Sequence, residues 1–278
     1  MELQFEVNEE LCIGCGECSK DCPFQLIEMK DDVPTMAKEN EANCLQCQHC
    51  LAVCSTGALS ILGKNPADSI PLPGSAIPAK QLATLMQSRR SVRRYKKDRV
   101  SPEDIAFLLE TVGYAPTGIN NQQVLLTVID DPQIMDSLRK KVYTILAKLC
   151  ESGSFPAGME YLQGYVQDAL VTGQDTLFRG APHLLIASSP KAGPCPEADC
   201  FIALTYFELL AASMGMGALW SGLAKWTLTG ITPEILAGLG VPDSHQVGYI
   251  MVFGRPDVTY RRTVQRDHAH INRVQQIV

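Results

Sequence analysis

The amino-acid sequence predicts an α+β fold preceded by a small cysteine-rich module, and three observations carry that expectation. Eight of the eleven cysteines fall within residues 12–54. A stretch at 64–78 holds four prolines and little apolar periodicity, as a connector does. Beyond it, helical periods and short apolar runs mix without strict βαβ alternation, which favours separate helical and sheet layers. The expected organisation is therefore a module at 1–63, a proline-rich connector at 64–78 and a larger domain at 79–278. With 46% apolar residues, the larger part has enough material for a core of its own.

The module carries one cysteine pattern twice. CIGCGECSKDCP places Cys12, Cys15, Cys18 and Cys22 at C-x2-C-x2-C-x3-C, with Pro23 next. CLQCQHCLAVC repeats that spacing with Cys44, Cys47, Cys50 and Cys54. Three thiolates two residues apart wrap three corners of an iron–sulfur cube, and the fourth reaches across to the other cluster. One 4Fe–4S cluster would then take Cys12, Cys15, Cys18 and Cys54, and the other Cys44, Cys47, Cys50 and Cys22. Gly14 and Gly16 suit a loop whose amides turn inward toward sulfide. Zinc is the weaker alternative, because a third cysteine two residues on has no tetrahedral role. A disulfide framework would expect a secretory signal, and the acidic start MELQFEVNEE has no apolar core of that kind. The first sixty residues resemble the bacterial two-cluster ferredoxins, with Ser55 standing where the second run usually has proline. Such clusters imply a reducing, cytoplasmic setting.

Charge is unevenly divided. Residues 1–63 hold eleven acids and three bases, whereas 64–278 hold nineteen acids and twenty-one bases. An acidic module could dock a basic donor or simply stay soluble. The segment 201–223 is almost wholly apolar and long enough to span a bilayer, but Glu208 lies near its middle and no basic cluster flanks it. A buried core or interface helix is the expectation there.

Along the larger domain, residues 79–90 read as a helix ending in the basic run RRSVRRYKKDR. Ser101 as N-cap, Pro102, Glu103 and Asp104 open a helix to about Tyr114. A loop, APTGINNQ, leads to a strand near 124–129, and Asp131-Pro132 starts a helix to about Cys150. Residues 151–180 have no clear period. HLLIASS reads as a buried strand, 197–216 as the apolar helix, 218–221 as a strand, Thr232-Pro233-Glu234 as a helix start and 246–253 as a last strand. The tail from Asp257 is basic, with no core face of its own.

RRSVRRY, APTGINNQ, the GMGALWSG turn and the GRPDVTYRR end together resemble the nitroreductase family of flavoproteins over roughly residues 80–265. The resemblance implies an α+β sandwich with a mixed sheet, a homodimer with FMN at the subunit interface, and C-terminal arms wrapped over the partner. It places Arg89 and Ser91 on the flavin phosphate, with Arg90 beside them and Arg93 at the pyrimidine edge of the ring. Guanidinium forks match phosphate oxygens, which is the physical reason for arginine. Pro116, Thr117, Gly118 and Asn120 would approach from the partner chain. Ser221 and Gly222 would present backbone donors near N5, with Trp220 alongside. Arg262, and Arg261 with it, would close the phosphate site. Gln123-Val124 depart from the Pro-Trp that often follows in the family, which alters the pocket wall.

Other polar groups point nowhere specific. Cys150, Cys195 and Cys200 lack ligand spacing, His183 reads as structural, and His268 and His270 have no third ligand. The basic run is short and lacks stacking aromatics beyond Tyr95, so nucleic acid is not expected. The functional expectation is an FMN-dependent oxidoreductase fed through two 4Fe–4S clusters by reduced ferredoxin or another low-potential donor. Its acceptor would be a nitroaromatic, quinone or enone-like molecule. Two alternatives stay open: an NAD(P)H-driven flavoprotein exporting electrons through the clusters, and a non-enzymatic carrier or redox sensor.

Overall fold

The structure, a computed structural model, describes residues 3–72, 77–267 and 270–276. Residues 73–76 of the expected connector, and His268, lie outside the described residues. The chain divides into two compact units. One comprises Met1–Ala76 together with Ile119–Asn121, and the other Ile77–Gly118 with Gln122–Val278. The grouping of Ile119–Asn121 with the N-terminal unit has no signal in the sequence boundaries.

In the N-terminal unit, β1 (Glu6–Val7), α1 (Glu17–Lys20), β2 (Ile27–Lys30), β3 (Val33–Met36), α2 (His49–Ala52) and β4 (Leu59–Ser60) follow in order. β1 pairs antiparallel with β4, and β2 with β3. The cysteine repeat is a repeat of backbone as well. Left-handed residues recur thirty-two positions apart: Gly14 and Gln46, Gly16 and Gln48, Gln25 and Gly57, Asp31 and Gly63. A small core of Leu3, Ile27, Leu51, Leu59 and Ile61 closes around the buried Cys18 and Cys50.

The C-terminal unit opens with α3 (Ala79–Ser88) and α4 (Pro102–Val112), then β5 (Leu125–Ile129), α5 (Pro132–Ser152) and α6 (Leu162–Thr172). It continues with β6 (His183–Pro190), α7 (Pro196–Ser213), β7 (Gly217–Trp220), α8 (Gly222–Gly230), α9 (Pro233–Gly238) and β8 (His245–Gly254). Capping sets the helix starts: the Ser101 hydroxyl accepts from Asp104 N at 3.1 Å, and the Asp131 carboxylate from Gln133 N at 2.7 Å. The strands form one sheet in the order β5-β6-β8-β7, and every pair is antiparallel. Among the described residues, parallel pairing within the chain is limited to the isolated bridge between Ser91 and Ala218.

β6 explains the layering. Leu184 and Ile186 enter one core with α5, α6, α8 and α9, while Leu185 and Ala187 enter another with α4 and α7. A strand covered on both faces reads as a continuous apolar run, which is how HLLIASS appears. The apolar segment 201–223 breaks into α7, β7 and the start of α8. Among the described residues no helix is long and apolar enough to cross a membrane.

Candidate cofactor sites

The eight cysteines of the N-terminal unit line two separate cavities. Cys12, Cys15, Cys18 and Cys54 face one, and Cys22, Cys44, Cys47 and Cys50 the other. Each cavity therefore takes three thiols from one run and the fourth from the other, the exchange expected from the spacing. Apolar side chains such as Ile13 and Pro34, or Leu26 and Met36, complete the walls. Backbone amides point at sulfur: Leu26 N donates to Cys22 Sγ at 3.4 Å, and Ala58 N to Cys54 Sγ at 3.2 Å. These two bonds occupy equivalent places in the repeat. Burial pushes the Cys50 thiol up to about 12. For Cys54, burial also raises the pKa, but the Thr56 hydroxyl and nearby amides outweigh it and the net shift is downward. A thiolate at Cys50 thus needs a cation beside it, as an iron cluster supplies. Among the described residues no three cysteine, histidine or acidic side chains converge as a single ion would require. The donor set fits two cubes, with one thiolate for each iron, better than mononuclear zinc. All eleven cysteines are unbridged.

The second site is built where the basic run meets the edge of the large sheet. Ser91 bridges Ala218 of β7, and Val92 N donates to Ala218 O at 3.0 Å. Gly217 is required for this approach, since a Cβ there would stand 2.7 Å from Val92 Cβ. The Tyr95 hydroxyl donates to Val92 O at 2.8 Å and lies 3.3 Å from Val252 O, and Asp257 N donates to Arg94 O at 2.9 Å. The run is thereby stitched to β7, to β8 and to the chain leaving β8. The result is a cleft of about 490 Å³. Arg89 and Arg90 line it from one end of the domain, and Arg261 and Arg262 from the other.

The remaining predicted residues are placed as follows. Ser91 is held on β7 by its bridge to Ala218, and Arg93 folds back to donate to Ser91 O at 3.3 Å; neither is among the residues lining the cleft. Trp220 ends β7, stacked on Phe201 with ring centroids 5.7 Å apart. Ser221 is buried directly after β7. Its N–H is given to Ile250 O at 2.9 Å. Its hydroxyl donates to Leu177 O at 2.7 Å and accepts from Ala224 N, so it serves as the N-cap of α8. Gly222 is the first residue of that helix, where an N–H has no carbonyl within the helix to meet. A Cβ on Gly222 would stand 3.1 Å from Tyr249 Oη, so the backbone there is closely framed.

The loop after α4 is strained. Ile119, Asn120 and Gln122 all have positive φ, which is uncommon for a β-branched residue such as Ile119. Pro116 precedes the strained part, Thr117 Oγ1 accepts from Gln122 N at 2.9 Å, and Gly118 N donates to the buried Asp199 carboxylate at 2.8 Å. Asn120, grouped with the N-terminal unit, donates to Leu45 O at 2.9 Å. One residue of the cleft escaped sequence reasoning. Glu208, a lone acid in the apolar α7, lies against Arg89 with a 2.8 Å ion pair. The available signal was its setting, since a buried acid in an apolar helix demands a partner.

An antiparallel sheet between two helical layers, with an arginine-lined cleft at its edge, defines an α+β domain suited to a phosphorylated cofactor. A module with two four-cysteine cavities precedes it. Residues 86–255 match the nitroreductase family, and residues 11–59 match a 4Fe-4S dicluster domain. The chain belongs to the nitroreductase family and carries a ferredoxin-type 4Fe–4S domain ahead of it. It is similar to an iodotyrosine deiodinase of Thermotoga neapolitana, 24% identical over 139 residues, spanning 50% of this chain and 72% of the relative. A ferredoxin of Methanothermococcus thermolithotrophicus is 33% identical over 57 residues, 20% of this chain and 92% of the ferredoxin. Among solved structures, a nitroreductase with bound FMN from Bacteroides fragilis overlays with a TM-score of 0.55 at 22% identity. That overlay covers 69% of this chain and 99% of the other, and at such identity it speaks for the fold.

Proposed function

We propose that the chain is an FMN-dependent oxidoreductase that receives electrons through two 4Fe–4S clusters and passes them to a small organic acceptor. The observation that carries this reading is the convergence of Arg89, Arg90, Arg261 and Arg262 on one cleft from opposite ends of the domain. FMN, when bound, takes electrons singly from iron–sulfur centres and delivers them in pairs to an acceptor. The arginines would hold its phosphate through charge-assisted, forked hydrogen bonds. Arg93 would lie at the pyrimidine edge, where a cation favours added negative charge on the ring. Gly222 would offer its helix-terminal N–H, and Trp220 a flat wall. The loop with Pro116, Thr117, Gly118 and Asn120 would serve a partner subunit in a homodimer.

In the N-terminal unit, Cys12, Cys15, Cys18 and Cys54 would hold one cluster, and Cys22, Cys44, Cys47 and Cys50 the other. The acidic balance of residues 1–63 would suit a donor with a basic docking face, and reduced ferredoxin or another low-potential carrier would supply the electrons. Nitroaromatics, quinones and enone-like molecules are the acceptor class. A reducing cytoplasm suits the thiolate ligands.

The test is anaerobic stopped-flow reduction of the full-length holoprotein by reduced ferredoxin and by NADH, alongside a Cys47→Ser variant. Rapid reduction by ferredoxin, lost in the variant while dithionite still reduces the flavin, is the expected result. Ferredoxin-driven rates unchanged by Cys47→Ser would end the reading of the clusters as the entrance. Efficient reduction by NADH in both proteins would favour nicotinamide as the donor instead.

A further inference from the structure

Glu208 sits in the buried middle of α7 and is only 7% exposed. Its two oxygens serve different partners. Oε1 accepts from Arg89 Nη1 at 2.8 Å, and Oε2 accepts from Trp220 Nε1 at 3.0 Å. Arg89 stands at the C-terminal end of α3 and lines the cleft, with its side chain 31% exposed. Trp220 ends β7 and packs against Phe201 and Tyr249. One carboxylate thus joins an arginine that faces the cleft to the aromatic at the end of the sheet edge.

We propose that Glu208 is a positioning residue that sets Arg89 for the flavin phosphate, while its second oxygen anchors Trp220. The inference rests on reading the cleft as an FMN site. A guanidinium has five N–H groups in one plane. Fixing Nη1 on Glu208 orients that plane and leaves the other N–H groups for a ligand. An arginine on a free stem would lose its rotamer freedom on binding, whereas one held beforehand has already lost it. The same carboxylate keeps the indole from turning, because Trp220 has a single N–H and Glu208 takes it.

A plain counter-ion would behave differently, and the sign of one measurement separates the two roles. A carboxylate beside the cleft repels a phosphate dianion through space, so its removal should tighten FMN binding if charge balance were its only effect. If Glu208 positions Arg89, its removal loosens FMN despite relieving that repulsion.

The experiment uses full-length protein freed of flavin, titrated with FMN and with riboflavin by fluorescence quenching. Glu208→Ala is expected to weaken FMN binding about tenfold, the scale of one oriented charge-assisted contact, and riboflavin binding far less. The isosteric Glu208→Gln, which keeps one acceptor oxygen, should weaken FMN about threefold and carries the test if the alanine variant does not fold. Glu208→Ala placed on Arg89→Ala should add nothing further for FMN, since the oriented group is gone. The indole emission of the flavin-free Glu208→Ala protein should shift as Trp220 loses its acceptor. Unchanged or tighter FMN binding in the folded variants, or additive losses in the double variant, would overturn the proposal. Failure of the wild-type protein to bind FMN would overturn the flavin reading itself, a different and separable outcome.

Discussion

The N-terminal unit closes on a handful of apolar side chains around Leu3, Ile27, Leu59 and Ile61, with two thiols buried among them. The C-terminal unit clamps a four-stranded sheet between two large apolar layers. The first has helices of four residues and strands of two to four, too short to stand on their own propensity. The second has helices of up to 21 residues and strands with both faces covered. The contrast teaches that one unit is organised by what its cysteines hold, and the other by what its sheet buries.

Removing iron is the strongest way to break that contrast. Stripping the clusters with chelator and oxidant should unfold the N-terminal unit entirely while the C-terminal unit keeps its cooperative transition. Circular dichroism melts read alongside the visible cluster absorption check this. A single unshifted transition for the whole apoprotein would count against it.

The reverse perturbation aims at the larger core. Phe207 is fully buried and meets Phe253 edge-to-face with centroids 5.0 Å apart. Phe207→Ala should cost the C-terminal unit about 3–5 kcal/mol, while the cluster absorption remains. Urea unfolding followed at both signals measures the two effects separately.

Acid should also distinguish the units. His183 is fully buried, and its Nε2 accepts from Val100 N at 3.0 Å. Burial lowers its pKa from 6.5 to about 4. The unfolded chain takes up a proton below 6.5 that the folded unit refuses, so stability falls as pH drops from about 6.5 toward 4. The loss should approach about 3 kcal/mol at the acid end. His183→Gln, which keeps an acceptor for Val100, should flatten that slope in pH-dependent urea melts.

The smallest effect sharpens the comparison within the cysteine repeat. Gly16 and Gln48 share one left-handed backbone position, with φ of 71° and 59°. Gln48→Gly should stabilise the module by about 1 kcal/mol, and Gly16→Gln should cost about as much. The rate of cluster bleaching in mild denaturant provides the measure.

How much of this was legible follows the same division. Cysteine spacing is a short-range code, so the exchange of Cys22 and Cys54 between the two cavities could be anticipated from residues alone. Capping at Ser101 and Asp131, and the unbroken run of β6, were likewise local signals. α6 was not legible because it buries only Leu162 and Val166 and leaves Tyr165, Leu170 and Val171 exposed, which blurs its period. α8 went unread because its N-cap Ser221 looked like a ligand contact, and the bonds that commit it come from Leu177 and Ile250, far away in sequence. The partnership of Glu208 with Arg89 spans 119 positions and leaves no local trace.

The connector described earlier has a kinetic meaning under the proposed electron route. Within residues 64–78, Ile70, Leu72 and Ile77 are strongly exposed. If residues 64–78 act as a flexible tether, covalent attachment would keep the iron–sulfur module at an effective concentration on the order of millimolar around the flavin domain, whatever the bulk concentration. Transfer between them would then be first order. Dilution would slow the encounter with an external donor and leave the internal step untouched, so the two could be told apart by concentration alone.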